Sequence, residues 1–169
     1  MQVEILNRSC FALPSYAKSG DSGIDLRADF SSLSVLENKI GKVMCVPMGE
    51  HGDNKGFSKI ILDPDARVIV PTNIHISIPK GYEGQVRPKS GQSFKKGFTV
   101  FLGTVDSGYI GNIGVIIANN THRIIEIEHG EKIAQLVIAP VEQNVQFENV
   151  TELDSTERGQ GGFGSTGIK

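Results

Sequence analysis

Two carboxylates and two glycine-containing stretches carry the residue types that could do chemistry here. Asp106 lies in "GTVDSGYIG" (103–111), where glycines stand on both sides of it and the run reads as a tight hairpin. A carboxylate held beside a water can orient it and take its proton, a role worth roughly 10²–10⁴ in rate. Taken alone, an Asp in such a run more often stabilises a turn. Asp25 lies in "SGIDLRA" (22–28), which reads as a glycine-containing turn and is by itself weak grounds for a metal. In "RPKSG" (87–91), Ser90 and Gly91 open a candidate short helix whose free N–H groups, with the Ser90 hydroxyl and the Lys89 charge, suit an anion. A single lysine is by default a solvated one. Gln135, in "GEKIAQLV" (130–137), is a polar side chain in an apolar run and needs a partner.

The sequence nearly ends in "RGQGGFGSTG" (158–167), five of whose ten residues are glycine. Such a segment buries too little to offset its entropy, yet it carries Arg158 and Phe163. Glycines let a backbone close over a ligand through positive φ. A plain tail gives no reason for a Phe between glycines.

The elements that must position these residues are strands. "TNIHISIPKG" alternates strictly, with Ile74, Ile76 and Ile78 on one face and His75 and Ser77 on the other. "ARVIVP", "GFTVFLG", "IGVIIANN", "RIIEIE" and "KIAQLVIAPV" are short, β-branched and bounded by Gly, Pro or Asn. Their spacing points to an all-β sandwich, jelly roll or barrel. One short helix is expected at "SGQSFKKG", capped by Ser90 and ended by Gly97. Residues 31–58 hold apolar patches and end in the polar "GEHGDNKG", which reads as an inserted hairpin with a mobile tip.

Composition removes several classes. The net charge of −2 argues against a general nucleic-acid binder. No apolar run approaches the roughly 18 residues of a membrane span. "MQVEILNRSCF" lacks the layout of a signal peptide. Cys10 and Cys45 are too far apart in sequence to suggest a zinc site or a disulfide framework, and a reducing cytoplasm is expected. The four histidines, His51, His75, His122 and His129, show no metal-ligand spacing.

Taken together and in order, the five motifs resemble those of the trimeric dUTPase family across nearly the whole chain except residues 31–58. The resemblance implies a distorted jelly-roll or β-barrel domain over 1–150, with an insert at about 31–58, and a flexible C-terminal arm over 151–169. It implies cleavage of dUTP between the α and β phosphates, giving dUMP and pyrophosphate. Asp106 would activate the water. Gly103, Thr104 and Val105 would hold the uracil through backbone groups, and Tyr109 would lie under the deoxyribose and exclude UTP. Lys89, Ser90 and Gly91 would bind phosphates, Gln135 would face the α-phosphate or the water, and Asp25 would support Mg²⁺ through bound water. The arm would close as a lid, with Arg158 on the terminal phosphates, Phe163 on the uracil, and Gly164, Ser165 and Thr166 at the γ-phosphate. The family forms homotrimers whose sites are shared between subunits.

The sequence departs from the family's pattern at three positions. Lys89 stands where Arg is usual, giving a point charge in place of a fork. Val100 stands where Asn is frequent, which leaves uracil recognition to backbone groups. Ile24 stands where an aromatic is frequent. A dCTP deaminase of the same fold is the nearest rival, and a non-catalytic regulator with a protein partner at the 31–58 insert is the rival of another class.

Overall fold

The computed structural model describes residues 1–31, 36–49 and 56–161. Among the described residues, four antiparallel sheets form around one apolar core, as the β-branched runs require. β1 (Glu4–Asn7) pairs with β7 (Ile74–Ser77). A second sheet runs in the order β10 (Gly103–Val105), β8 (Tyr82–Pro88), β13 (Lys132–Pro140), β2 (Ile24–Arg27). A third runs β3 (Lys39–Ile40), β6 (Arg67–Pro71), β11 (Gly114–Ala118), β9 (Thr99–Val100). The fourth runs β12 (Ile125–Glu128), β5 (Phe57–Leu62), β4 (Val43–Pro47). The alternation of residues 74–78 resolves into an inner and an outer face. Ile74, Ile76 and Ile78 are buried with Leu26, Phe30, Ile60, Ile117 and Leu136, whereas Ser77 is exposed. The all-β architecture with one short helix is therefore the one expected.

The helix, α1 (Ser90–Lys96), starts one residue earlier than a Ser90 cap would place it. Lys89 is the N-cap, in extended backbone, and no side chain caps the end. Ser90 is already helical, so its hydroxyl cannot fold back over the first turn as a cap would. Gly97 ends the helix as expected, at φ 79°, with its N–H on the Ser93 carbonyl.

Two further expectations are corrected. "GTVDSGY" is not a hairpin: β10 pairs with β8, while the next strand, β11, belongs to another sheet. Residues 106–109 form a turn closed by Tyr109 N–H on the Asp106 carbonyl at 3.0 Å. The chain then crosses over because Ile113 N–H bonds Ile74 O, drawing it to β7. Asp25 lies not in a turn but within strand β2.

The hairpin expected within 31–58 is present, since β4 pairs with β5 from Val43↔Leu62 to Pro47↔Phe57. Its connecting positions 50–55 and residues 32–35 lie outside the described residues. Val43 and Phe57 are buried, and β5 also pairs with β12, so this hairpin shares the core rather than hanging from it.

Candidate active site

The register of the second sheet assembles one group of side chains. Asp25 on β2 stands opposite Gln135 on β13, which stands opposite Arg87 on β8. Two residues beyond Arg87, Lys89 and Ser90 open α1. Lys89 Nζ donates to Asp25 Oδ1, and Lys132 Nζ donates to Asp25 Oδ2 at 2.6 Å. Gln135 Nε2 donates to the Pro88 carbonyl at 3.3 Å, so in this state backbone satisfies it. Burial on its own would raise the Asp25 carboxyl. Hydrogen bonds and charge from Lys132 and Lys89 outweigh it and hold the group below the usual carboxylate range.

Lys132 was not singled out by sequence. It sits where the β13–β2 register shifts, between Lys132 and Ala134, and a bulge of this kind re-aims a side chain. Its only sequence signal was a basic residue three positions before Gln135, which is indistinguishable from a solvated lysine. α1 is tied to the same turn: Lys96 Nζ lies 2.7 Å from Glu131 Oε2, and Gln92 Nε2 donates to Lys132 O at 3.2 Å. Asp25, Arg27 and Lys132 line a groove of about 490 Å³ against residues of the 9–17 loop.

A second cavity, of about 170 Å³, is lined by Val86, Gly103, Thr104, Val105, Asp106 and Tyr109, with Asn112, Ile113 and Gly114. β10 is an edge strand of its sheet, so one row of its backbone N–H and C=O groups is left for a ligand. Tyr109 Oη donates to Asn112 O at 2.8 Å, and the ring lies against Gly111, where a Cβ would overlap it. Val100 is buried on β9, opposite Ile117, and its side chain belongs to the core.

The two groups do not meet within one chain. Val105, next to Asp106, stands opposite Gly84 near the start of β8, whereas Lys89 follows its end. At about 3.3 Å per strand residue, the Gly84 level beside Asp106 lies roughly 17 Å along β8 from Lys89 and roughly 10 Å from Arg87, the level of Asp25 and Gln135. Arg158 is exposed, and its Nε donates to Gly161 O at 3.2 Å. Phe163, Gly164, Ser165 and Thr166 lie outside the described residues.

Cysteine and histidine also differ from expectation. Sequence spacing joins none of them, yet Cys10, Asp29 and His129 come together, with Cys10 Sγ 3.3 Å from His129 Nε2. Both cysteines are free. Among the described residues, no helix is long and apolar enough to cross a membrane.

A base-sized cavity on an edge strand and a lysine-flanked carboxylate on the same sheet suit the two ends of a nucleotide, which places the molecule among all-β nucleotide-handling proteins. The comparisons narrow the class. The dUTPase family model matches residues 56–167. A deoxyuridine 5'-triphosphate nucleotidohydrolase of Finegoldia magna is 39% identical over 169 residues, covering 99% of each chain. The chain belongs to the dUTPase family. Among solved structures, the dUTPase of Staphylococcus bacteriophage 80alpha with dUPNHPP superposes with a TM-score of 0.75 at 24% identity, covering 99% of each chain. A variant of the dUTPase from phage phi11 of S. aureus, solved to show how a structural Mg(II) ion is coordinated, gives 0.67 at 22% identity, covering 92% of this chain and all of that one. At these identities the two structures speak for the fold.

Proposed function

We propose that this chain hydrolyses dUTP to dUMP and pyrophosphate, as its family membership implies, with Asp106 of one copy acting on a triphosphate held by another. The observation that carries this reading is the separation just described. The acid that would activate water and the cations that would hold phosphate stand at opposite ends of β8, so one chain offers two half-sites. A closed homotrimer joins the Asp106 end of each copy to the Lys89 end of the next. An apolar outer face is available for such packing: Ile69 and Ile116 pair across β6 and β11 and remain exposed, with Ile40 and Phe101 beside them.

At the nucleoside end, the free edge of Gly103–Val105 reads the uracil by backbone hydrogen bonds. Cytosine presents a donor where uracil presents an acceptor, which leaves these groups unpaired. Tyr109 sits beneath the deoxyribose and leaves no room for a 2′-hydroxyl. At the phosphate end, Lys89, Ser90 and Gly91 receive the chain of phosphates, joined by Lys132, and Gln135 exchanges its Pro88 carbonyl for a phosphate oxygen or the attacking water. Asp106 takes the proton of a water as its oxygen attacks the α-phosphorus and pyrophosphate leaves. Arg158, with Phe163, Gly164, Ser165 and Thr166, closes over the bound nucleotide.

The residues present fit Mg²⁺. Both oxygens of Asp25 are hard donors presently held by ammonium groups. Lysines drawn to an incoming triphosphate release those oxygens to waters of a hydrated ion, the form in which magnesium is usually held. Bound Mg²⁺ would neutralise phosphate charge. The activity limits uracil incorporation into DNA and supplies dUMP for thymidylate synthesis. We place it in the cytoplasm, where two free thiols persist.

The test is to offer dUTP, dCTP, dTTP and UTP with Mg²⁺ and identify the products. Pyrophosphate from dUTP alone is expected. Ammonia from dCTP would identify a deaminase instead, and no product from any of them would identify a regulator on this scaffold.

A further inference from the structure

We propose that Cys10, paired with His129, is a site of covalent thiol modification that takes low-molecular-weight disulfides by thiol–disulfide exchange. The thiol is exposed on the loop that follows β1. Hydrogen-bond directions fix the proton of its partner. Phe30 N–H donates to His129 Nδ1 at 3.1 Å, so Nδ1 presents its lone pair and the neutral ring keeps its proton on Nε2. Nε2 lies 3.3 Å from Cys10 Sγ, and its N–H therefore points at sulfur. The ring is held in place by tilted contacts with Phe11, at 4.9 Å between centroids, and Phe30, at 6.3 Å.

The same arrangement disfavours a metal among Cys10, Asp29 and His129. A metal on Nε2 needs the lone pair there and a proton on Nδ1, which the Phe30 amide opposes. Asp29 is already committed: it accepts from Cys10 N–H at 3.2 Å, Ser31 N–H at 3.0 Å and the Ser31 hydroxyl at 2.6 Å. Its Oδ1 lies 3.7 Å from Cys10 Sγ and accepts the S–H of the resting thiol. This carboxylate opposes a negative sulfur. The closer imidazole N–H supports one.

In the step itself, the Cys10 proton leaves to solvent and the thiolate attacks one sulfur of the disulfide. The S–S bond breaks, a mixed disulfide forms on Cys10, and the other half departs as a thiolate that takes up a proton. The His129 N–H donates to the attacking sulfur throughout. Cys45 offers an internal contrast. It sits half-buried on β4, and burial pushes its thiol up despite the charge of Lys39.

The experiment treats the full-length protein with oxidised glutathione at neutral pH and follows intact mass and peptide maps. One adduct is expected, on Cys10, reversed by dithiothreitol and formed about tenfold faster than any on Cys45. His129→Asn keeps an oxygen for the Phe30 amide but has no group at the Nε2 position, and it should slow Cys10 about tenfold, the effect of one charge-assisted hydrogen bond. Equal rates at the two cysteines of the unmodified sequence would overturn the proposal, and that comparison needs no variant. So would an unchanged rate in His129→Asn, or stoichiometric Zn²⁺ that protects Cys10.

Discussion

Asp106 and Lys89 stand at opposite ends of β8: the strand pair Val105↔Gly84 places the acid at its start, and the Lys89 cap of α1 follows its end. Around that spacing the remaining residues sort into a nucleoside end and a phosphate end. Asp106→Asn keeps the turn, because the turn is closed by backbone, and removes only the proton acceptor. Binding of a non-hydrolysable dUTP analogue by calorimetry should be preserved while kcat falls roughly 10²–10⁴-fold. Turnover close to that of the unaltered chain would remove Asp106 as the base.

Lys89 supplies one charge to the phosphates, where a guanidinium would supply a fork. Lys89→Ala should raise KM for dUTP about 10–100-fold, the range of a lost charge-assisted contact. Lys89→Arg should retain activity. Steady-state kinetics at fixed Mg²⁺ checks both.

Gly111 is open to a sharper test, since its Cα lies against the Tyr109 ring and a Cβ has no room there. Gly111→Ala should displace the half-exposed ring, with little cost in stability because the ring can swing toward solvent, and relax the preference for dUTP over UTP. The ratio of kcat/KM for the two nucleotides is the measurement.

Asp25 and Asp29 link stability to pH with the same sign. Burial alone would raise each carboxyl. Hydrogen bonds from Lys132 and Lys89 at Asp25, and from Ser31, Asn73 and the Cys10 amide at Asp29, bring the net value below the ordinary 3.8. The stability they add is complete above that ordinary value and is lost as pH falls through the lower folded values. Tm should therefore drop steeply in the acid range below about pH 4, and Asp25→Asn should flatten part of that drop. A Tm profile measured between neutral and strongly acid pH tests it.

The strands were legible because alternation and β-branching report burial directly, as Ile74, Ile76 and Ile78 show. Five motifs in order made the candidate residues legible too. What sequence spacing could not carry was long-range register. Lys132 reaches Asp25 through a bulge in β13, and Cys10 meets His129 across 119 positions of chain. "GTVDSGY" looked like a hairpin because its glycines signal a turn, and a turn does not say which sheet the next strand joins. Ser90 looked like a cap because its residue type suits one, whereas Lys89 holds the last extended backbone before α1.

The most direct test of the shared site mixes two impaired variants, Asp106→Asn and the double variant Lys89→Ala with Ser90→Ala, unfolded together and refolded at equal amounts. If Asp106 acts on a triphosphate held by another copy, about one site in four pairs two intact halves, and dUTPase activity should rise to about a quarter of the unaltered rate. A mixture no more active than the two variants measured apart would contradict the account.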